Sequence, residues 1–202
     1  MTRRRTALVS GLVVLTLILS FGAWRAWGPE GRLGNPGVRD DGPMVVPNPH
    51  GLAYTQPRGK VFTDGLEILW TTGDEVAVIE SVELVGSRGI ELVGAMVAPP
   101  PRAYGSESII KSWPPVADRL FDSSTLVDAV GAEIGPGRGS GGYGWELLVG
   151  LKAVEEGVLF RKGIRITYTV DSDRYEAMLP AELTICTGQE HEVRGRCRFV
   201  EE

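Results

Sequence analysis

The chain predicts an all-β body, an antiparallel two-sheet sandwich of about seven strands, preceded by one N-terminal transmembrane helix. Three observations lead there. Several runs alternate apolar and polar side chains with a period of two, the signature of half-buried strands. Clusters of Gly, Pro, Asp and Ser separate those runs and supply turns. Ahead of them, the 18 residues from Ala7 to Trp24 carry no charge and stand directly behind Arg3, Arg4 and Arg5.

The first segment sets the location. At about 1.5 Å per residue, 18 helical residues cover roughly 27 Å, close to the roughly 30 Å of bilayer hydrocarbon. The arginines favour the cytoplasmic side, which places Trp27 to Glu202 outside the cell, with Trp24 and Trp27 at the interface level where aromatic belts form. A cleaved secretory signal is the competing reading. Cleavage after Ala23 or Ala26 would put Phe21 or Trp24 at a position that prefers a small residue, although Ser20 and Gly22 make a passable pair. The balance favours an uncleaved signal-anchor. Residues 1–27 are thus read as cytoplasmic arginine cluster and anchor, 28–60 as a stalk, and 61–202 as the extracytoplasmic domain, in a single-pass plasma-membrane protein.

Composition agrees with that placement. The formal net charge is −5; three of the 21 basic residues precede the apolar run and none of the 26 acidic ones does, so the chain beyond that run carries −8. An acidic surface repels nucleic acid and anionic headgroups, which disfavours nucleic-acid partners and a polybasic membrane clamp. Cys186 and Cys197 are the only cysteines. In an oxidising compartment such a pair reads as a disulfide, and closing a loop of about 12 residues contributes around 3 kcal/mol by the chain-entropy argument. It would staple the last strand pair.

From Gly28 to Lys60 the spacing of Pro29, Pro36, Pro43, Pro47, Pro49 and Pro57 forbids a helix or a central strand, hence the stalk. Within it, Met44 to Tyr54 is apolar enough to add an edge strand. Beyond it, Leu66, Ile68 and Trp70 alternate as one strand face. Val76 to Val85 shifts phase: Ala77 and Ile79 share a face, but the next apolar pair is Val82 and Leu84, which requires an inserted residue and predicts a β-bulge or a switch of sheet near Glu80 and Ser81. Gly86 to Gly89 is a tight connection into Ile90 to Val97, stopped by Pro99, Pro100 and Pro101. In residues 102–134, Val116, Leu120, Val127 and Val130 can share one side of a short helix, but Pro114, Pro115 and the polar Asp122 to Thr125 interrupt it. Trp145, Leu147, Val149 and Leu151 form a strand face. So do Ile164, Ile166, Tyr168 and Val170, with a turn at Asp171 to Asp173 and a return along Tyr175 to Leu179. Glu182 to Thr187 and Arg196 to Val200 form the last pair. Short strands with hairpin turns and little helix point to an immunoglobulin-like sandwich, without the antibody cysteine pattern.

No motif for chemistry survives scrutiny. Gly135 to Gly144 holds six glycines but no Gly-Lys-Ser or Gly-Lys-Thr, and a strand follows it rather than a helix N-terminus. His50 falls in the stalk, and His191 lies between Glu190 and Glu192 in the loop the cysteines enclose; a solvated charged loop explains that cluster better than a metal site. Met44, Met96 and Met178 read as strand residues. No Gly-x-Ser-x-Gly elbow occurs. Trp113, Pro114, Pro115, Tyr104, Tyr143 and Trp145 can line a recognition surface at one end of the sandwich, or cover the core, which is the favoured reading.

The runs SVELVGSRGIELVGAMVAPP from Ser81, WELLVGLKAVEEG from Trp145 and GIRITYTVDSDRYEAMLPAELTIC from Gly163 resemble a set of single-pass membrane proteins of actinomycete-type bacteria. The resemblance spans about 100 of the 202 residues and implies an exported Ig-like β-sandwich behind an N-terminal anchor, with no assigned activity and no site. Separately, Arg194 to Arg198 faintly resembles the cysteine segment of exported L,D-transpeptidases, but Arg194, Gly195 and Arg196 stand where those enzymes have Ser-His-Gly, and a disulfide-bonded Cys197 is no nucleophile. The expectation is a membrane-anchored, non-enzymatic binding or structural module of the cell envelope, without cofactor, touching lipid through its helix and an envelope protein through its body. The alternative is a ligand or metal carrier using the Cys186–Cys197 loop.

Overall fold

A computed structural model describes residues 39–46, 49–100, 109–115, 126–137, 144–193 and 196–199. Among them there is no helix. The strands are β1 (Met44–Val45), β2 (His50–Thr55), β3 (Val61–Thr71), β4 (Ala77–Val85), β5 (Ile90–Ala98), β6 (Ile109–Ile110), β7 (Val127–Asp128), β8 (Glu133–Ile134), β9 (Trp145–Ala153), β10 (Gly157–Arg161), β11 (Gly163–Val170), β12 (Asp173–Leu179), β13 (Ala181–Thr187), β14 (Glu190–Val193) and β15 (Arg196–Phe199). Seven of them, β3, β4, β5, β9, β11, β12 and β13, are seven residues or longer, which is the set the alternation reveals.

The strands form three sheets and a hairpin. A large sheet runs β1-β3-β9-β5-β7, with β6 also on β3; a second runs β12-β11-β4-β8; a third runs β10-β13-β2; β14 and β15 pair with each other. All these pairs are antiparallel except β2 on β13, which is parallel. The arrangement is sandwich-like. Inward residues of the large sheet (Leu69, Leu147, Val149, Leu151) and of the second sheet (Ile79, Ile164, Ile166, Tyr168) join one core, each at most 1% exposed. Burying a side chain of this size stabilises by roughly 1.5–3 kcal/mol before entropy is set against it.

The phase shift in β4 is a bulge, as its sequence demands. Thr167 of β11 faces Ser81 while Tyr168 faces Ile79, so Glu80 is the unopposed residue. Ala77 and Ile79 before it, and Val82 after it, all reach the core. Gly86 and Gly89, at φ of 59° and 70°, make the tight connection to β5 in a conformation that side chains with a Cβ disfavour.

Trp113 covers the outer side of the large sheet. Its ring packs on Gly150 of β9 and Gly94 of β5, where a Cβ on Gly94 would come within 2.9 Å of the ring, and Thr63 Oγ1 donates a 2.6 Å hydrogen bond to the Ser112 carbonyl beside it. It is a cover, not an open recognition surface. Leu148, on the same outer side of β9, is also fully buried.

Several expectations need correction. Ile68 and Trp70, expected on the core face of β3 with Leu66, are only half-buried, whereas Glu67 and Leu69 are fully buried and Thr71 is 2% exposed. A bulge, described below, inverts the phase. The last strand does not pair with β13; Arg196–Phe199 pairs with β14, because β13 already has β10 and β2 on its two sides. Val127 and Val130 are not on a helix face but lie on β7 and the turn after it, both exposed; Val116 and Leu120 fall outside the described residues.

The folded body also begins earlier than the proline count suggests. Arg39 bridges to Tyr175, with Arg39 N–H donating to the Arg174 carbonyl at 3.0 Å and Glu176 N–H donating back at 2.7 Å. Met44 N–H bonds Tyr168 Oη, the Arg39 guanidinium lies over the Tyr175 ring, and Tyr175 stacks on Tyr168. Then β1 joins β3 and β2 joins β13. The expected edge strand between Met44 and Tyr54 is thus two strands, and the stretch from Arg39 to Thr55 lies along the margins of three sheets in turn.

Candidate functional site

The site with the most chemistry lies between β3 and the β10-β13-β2 sheet. Along β3, Asp64 faces Val149 of β9 and Glu67 faces Leu147, so Gly65 and Leu66 together oppose the single residue Leu148. That is a β-bulge. Gly65 permits it, since a Cβ there would meet Leu148 at 2.8 Å. In an unbroken strand, residues three apart point to opposite faces; the extra residue puts Phe62, Asp64, Glu67 and Leu69 on one. Each of the four is at most 1% exposed.

The facing sheet supplies the counter-groups. Arg161 of β10 is in register with Leu183 of β13, which is in register with Leu52 of β2; one step along, Ala181 matches His50, and further on Ile185 matches Tyr54. With a period of two, His50, Leu52 and Tyr54 share the inner face of β2, and Leu159 shares that of β10 with Arg161. Arg161 Nη2 lies 2.8 Å from Asp64 Oδ2 and 4.0 Å from Glu67 Oε1, and its Nε donates to the Ala181 carbonyl at 3.1 Å. His50 Nε2 lies 3.2 Å from Glu67 Oε1. Tyr54 sets its ring edge-on to Phe62 at 5.3 Å.

Electrostatics makes this cluster unusual. Arg161, Asp64 and Glu67 have side chains at most 1% exposed, and an ion in that setting carries a penalty of several kcal/mol unless it is paired. Two carboxylates share one guanidinium, so the fully ionised set without a proton on His50 has a net negative charge. Burial, reinforced by the negative charge of Asp64, pushes the Glu67 carboxyl up to about 7, against the pull of His50 and Arg161. Burial and the same Asp64 charge raise the Tyr54 phenol, so it stays protonated at any ordinary pH. Five buried atoms, Tyr54 Oη, Asp64 Oδ1, both Glu67 oxygens and Arg161 Nη1, have no well-aligned hydrogen-bond partner among the described residues. His50, 28% exposed at its side chain, is the member that reaches solvent. The group can hold and exchange a proton. Arg161 already neutralises Asp64, which leaves little room for a metal cation, and no group of three or more His, Cys, Asp and Glu among the described residues is arranged to hold one.

The residues singled out by sequence fall elsewhere. Cys186 and Cys197 form a disulfide, with Cα atoms 5.4 Å apart. It ties β15 to β13, Cys186 being fully buried. His191 lies on β14 opposite Arg198. His50 is not a stalk residue but the first residue of β2. Arg3, Arg4, Arg5, Trp24 and Trp27 lie outside the described residues, as do Tyr104, Tyr143 and most of the glycine stretch. A separate groove of about 550 Å³ is lined by Pro99, Val127, Val130 and Trp145, with Asp128 and Glu133 at its border.

Sequence reasoning missed Asp64, Glu67 and Arg161. The available signal is Asp-Gly-Leu-Glu inside an otherwise apolar run, a glycine between two acids that only a bulge reconciles with burial. Compared with known proteins, the chain matches no family model and no curated sequence.

Proposed function

We propose that this chain is a membrane-anchored, extracytoplasmic binding module of the cell envelope, acting without catalysis. In this reading Ala7 to Trp24 spans the plasma membrane, Arg3, Arg4 and Arg5 stay cytoplasmic, Trp24 and Trp27 sit at the interface, and the strands form an immunoglobulin-like sandwich like that of the actinomycete-type proteins the chain resembles. The observation that carries it is the Cys186–Cys197 disulfide, because such bonds persist in oxidising compartments and are rare in the cytosol.

The groove beside β7 is the surface we assign to the partner. Val127 and Val130 are 49% and 63% exposed there, against a wall of Pro99 and Trp145 and an acidic border of Asp128 and Glu133. Charge complementarity selects an envelope protein segment that offers an apolar side chain flanked by Lys or Arg.

Two experiments test the reading. A phosphatase active only outside the cytoplasm, fused after Glu202, gives activity in this orientation; a silent fusion overturns it. A photo-crosslinker at Val130 in living cells gives a discrete adduct that Asp128→Lys with Glu133→Lys abolishes. No adduct above background, or an adduct consisting of two copies of this chain, overturns the assigned partner.

A further inference from the structure

We propose that one proton shared between His50 and Glu67 governs the docking of β2, and that loss of this proton to water loosens that margin strand. The inference goes beyond the envelope reading and rests on the body alone.

Between β2, β3 and β10 lie Asp64, Glu67, Arg161 and His50, with Tyr54 as the remaining titratable neighbour. Among the described residues, β13 presents Ala181, Leu183 and Ile185 to this face and β9 presents Leu147 and Val149, while β14 and β15, with Glu190, His191, Glu192, Arg196 and Arg198, also pack against β2. With one proton on the His50–Glu67 pair, two negative and two positive groups balance, or one of each remains. Without it, two buried carboxylates face Arg161 alone. The negative charge then lies at the contact between β2 and β3, 3.2 Å from the imidazole that no longer offsets it.

Location turns that charge into a motion. β2 is a margin strand whose ladder partner is β13, and it is held across the layers through His50, Leu52 and Tyr54. Weakening the His50 contact removes one of three inward anchors, at the end of the strand nearest the N-terminus. His50 is the partly exposed member of the group. The raised Glu67 carboxyl supports the direction: a group that prefers its proton when docked favours docking below its folded value, and docking weakens as pH climbs through about 7. Release of the six residues of β2 frees roughly 20 Å of extended chain and bares one side of β13.

The test is amide hydrogen exchange on the full-length chain in detergent micelles, with the intrinsic pH dependence of exchange divided out. Between about pH 6 and about pH 8.5, protection of the His50–Thr55 amides is expected to fall about tenfold or more, and at every pH to lie below that of Ile164 to Val170 in β11, which exchange through global unfolding. Glu67→Gln, neutral and of the same shape, is expected to abolish the fall. A flat profile for β2 in the unaltered chain, or a fall retained in Glu67→Gln, overturns the proposal. If Glu67→Gln does not fold, His50→Gln decides. Without the imidazole the carboxyl alone takes the proton and the midpoint moves to higher pH; an unmoved midpoint overturns the proposal.

Discussion

Arg161 and Arg165 stand four residues apart on successive strands, and each guanidinium faces two carboxylates. Arg161 meets Asp64 at 2.8 Å and Glu67 at 4.0 Å with its side chain 1% exposed; Arg165 meets Glu176 at 3.1 Å and Glu83 at 3.6 Å with its side chain 40% exposed. The stoichiometry is the same and the physics is opposite. Around Arg165, across the outer face of β4, β11 and β12, water screens the surplus negative charge, so the ladder is nearly free to form or break. Around Arg161 burial weakens that screening, and the surplus pushes the Glu67 carboxyl up.

The sharpest way to break the comparison is to remove each cation in turn. Arg161→Met leaves buried Asp64 without its cation and Glu67 with His50 alone, and is expected to lower stability by about 3–5 kcal/mol in denaturant unfolding at neutral pH. A loss under about 1 kcal/mol would mean the cluster is far better hydrated than its burial implies. The next effect is a dependence on pH. Glu67 has its folded value raised from 4.5 to about 7, so its stabilising contribution is fully present below about 4.5 and lost as pH rises through about 7. Unfolding followed from about pH 5 to about pH 8 is expected to show a decline on the order of 2 kcal/mol that Glu67→Gln removes. Smallest of all, Arg165→Met is expected to change stability by less than about 1 kcal/mol. That difference should shrink further in about 1 M salt, where charges are screened within about 3 Å.

The same contrast explains what could be read from the chain. Ile164, Ile166, Tyr168 and Val170 alternate with Arg165, Thr167 and Thr169, so both the core face and the exposed ladder of β11 follow from a period of two. The bulge at Glu80 was legible for the same reason, since apolar residues flank the shift on both sides. The bulge at Gly65 was not, because the residues it turns inward are acids, and a hydrophobic count assigns Asp64 and Glu67 to solvent. Arg161 hides likewise: nothing in Gly157–Arg161 marks its last residue as buried, and only the pairing with β13 places it opposite β3. Proline spacing misled the boundary at Lys60, because margin strands tolerate prolines beside them where central strands do not. The disulfide needed only two cysteines, whereas its strand partners needed the topology.

The course of residues Arg39 to Thr55 along the margins of β12, β3 and β13 has a consequence for handling the protein. A trypsin-like cut after the exposed Lys60 would sever this stretch from the remainder and, once it dissociates, strip backbone donors and acceptors bare on three sheets at once. Naked strands recruit one another. Preparations nicked at that point are therefore the ones that should precipitate, and the stretch doubles as a guard against fibrous aggregation.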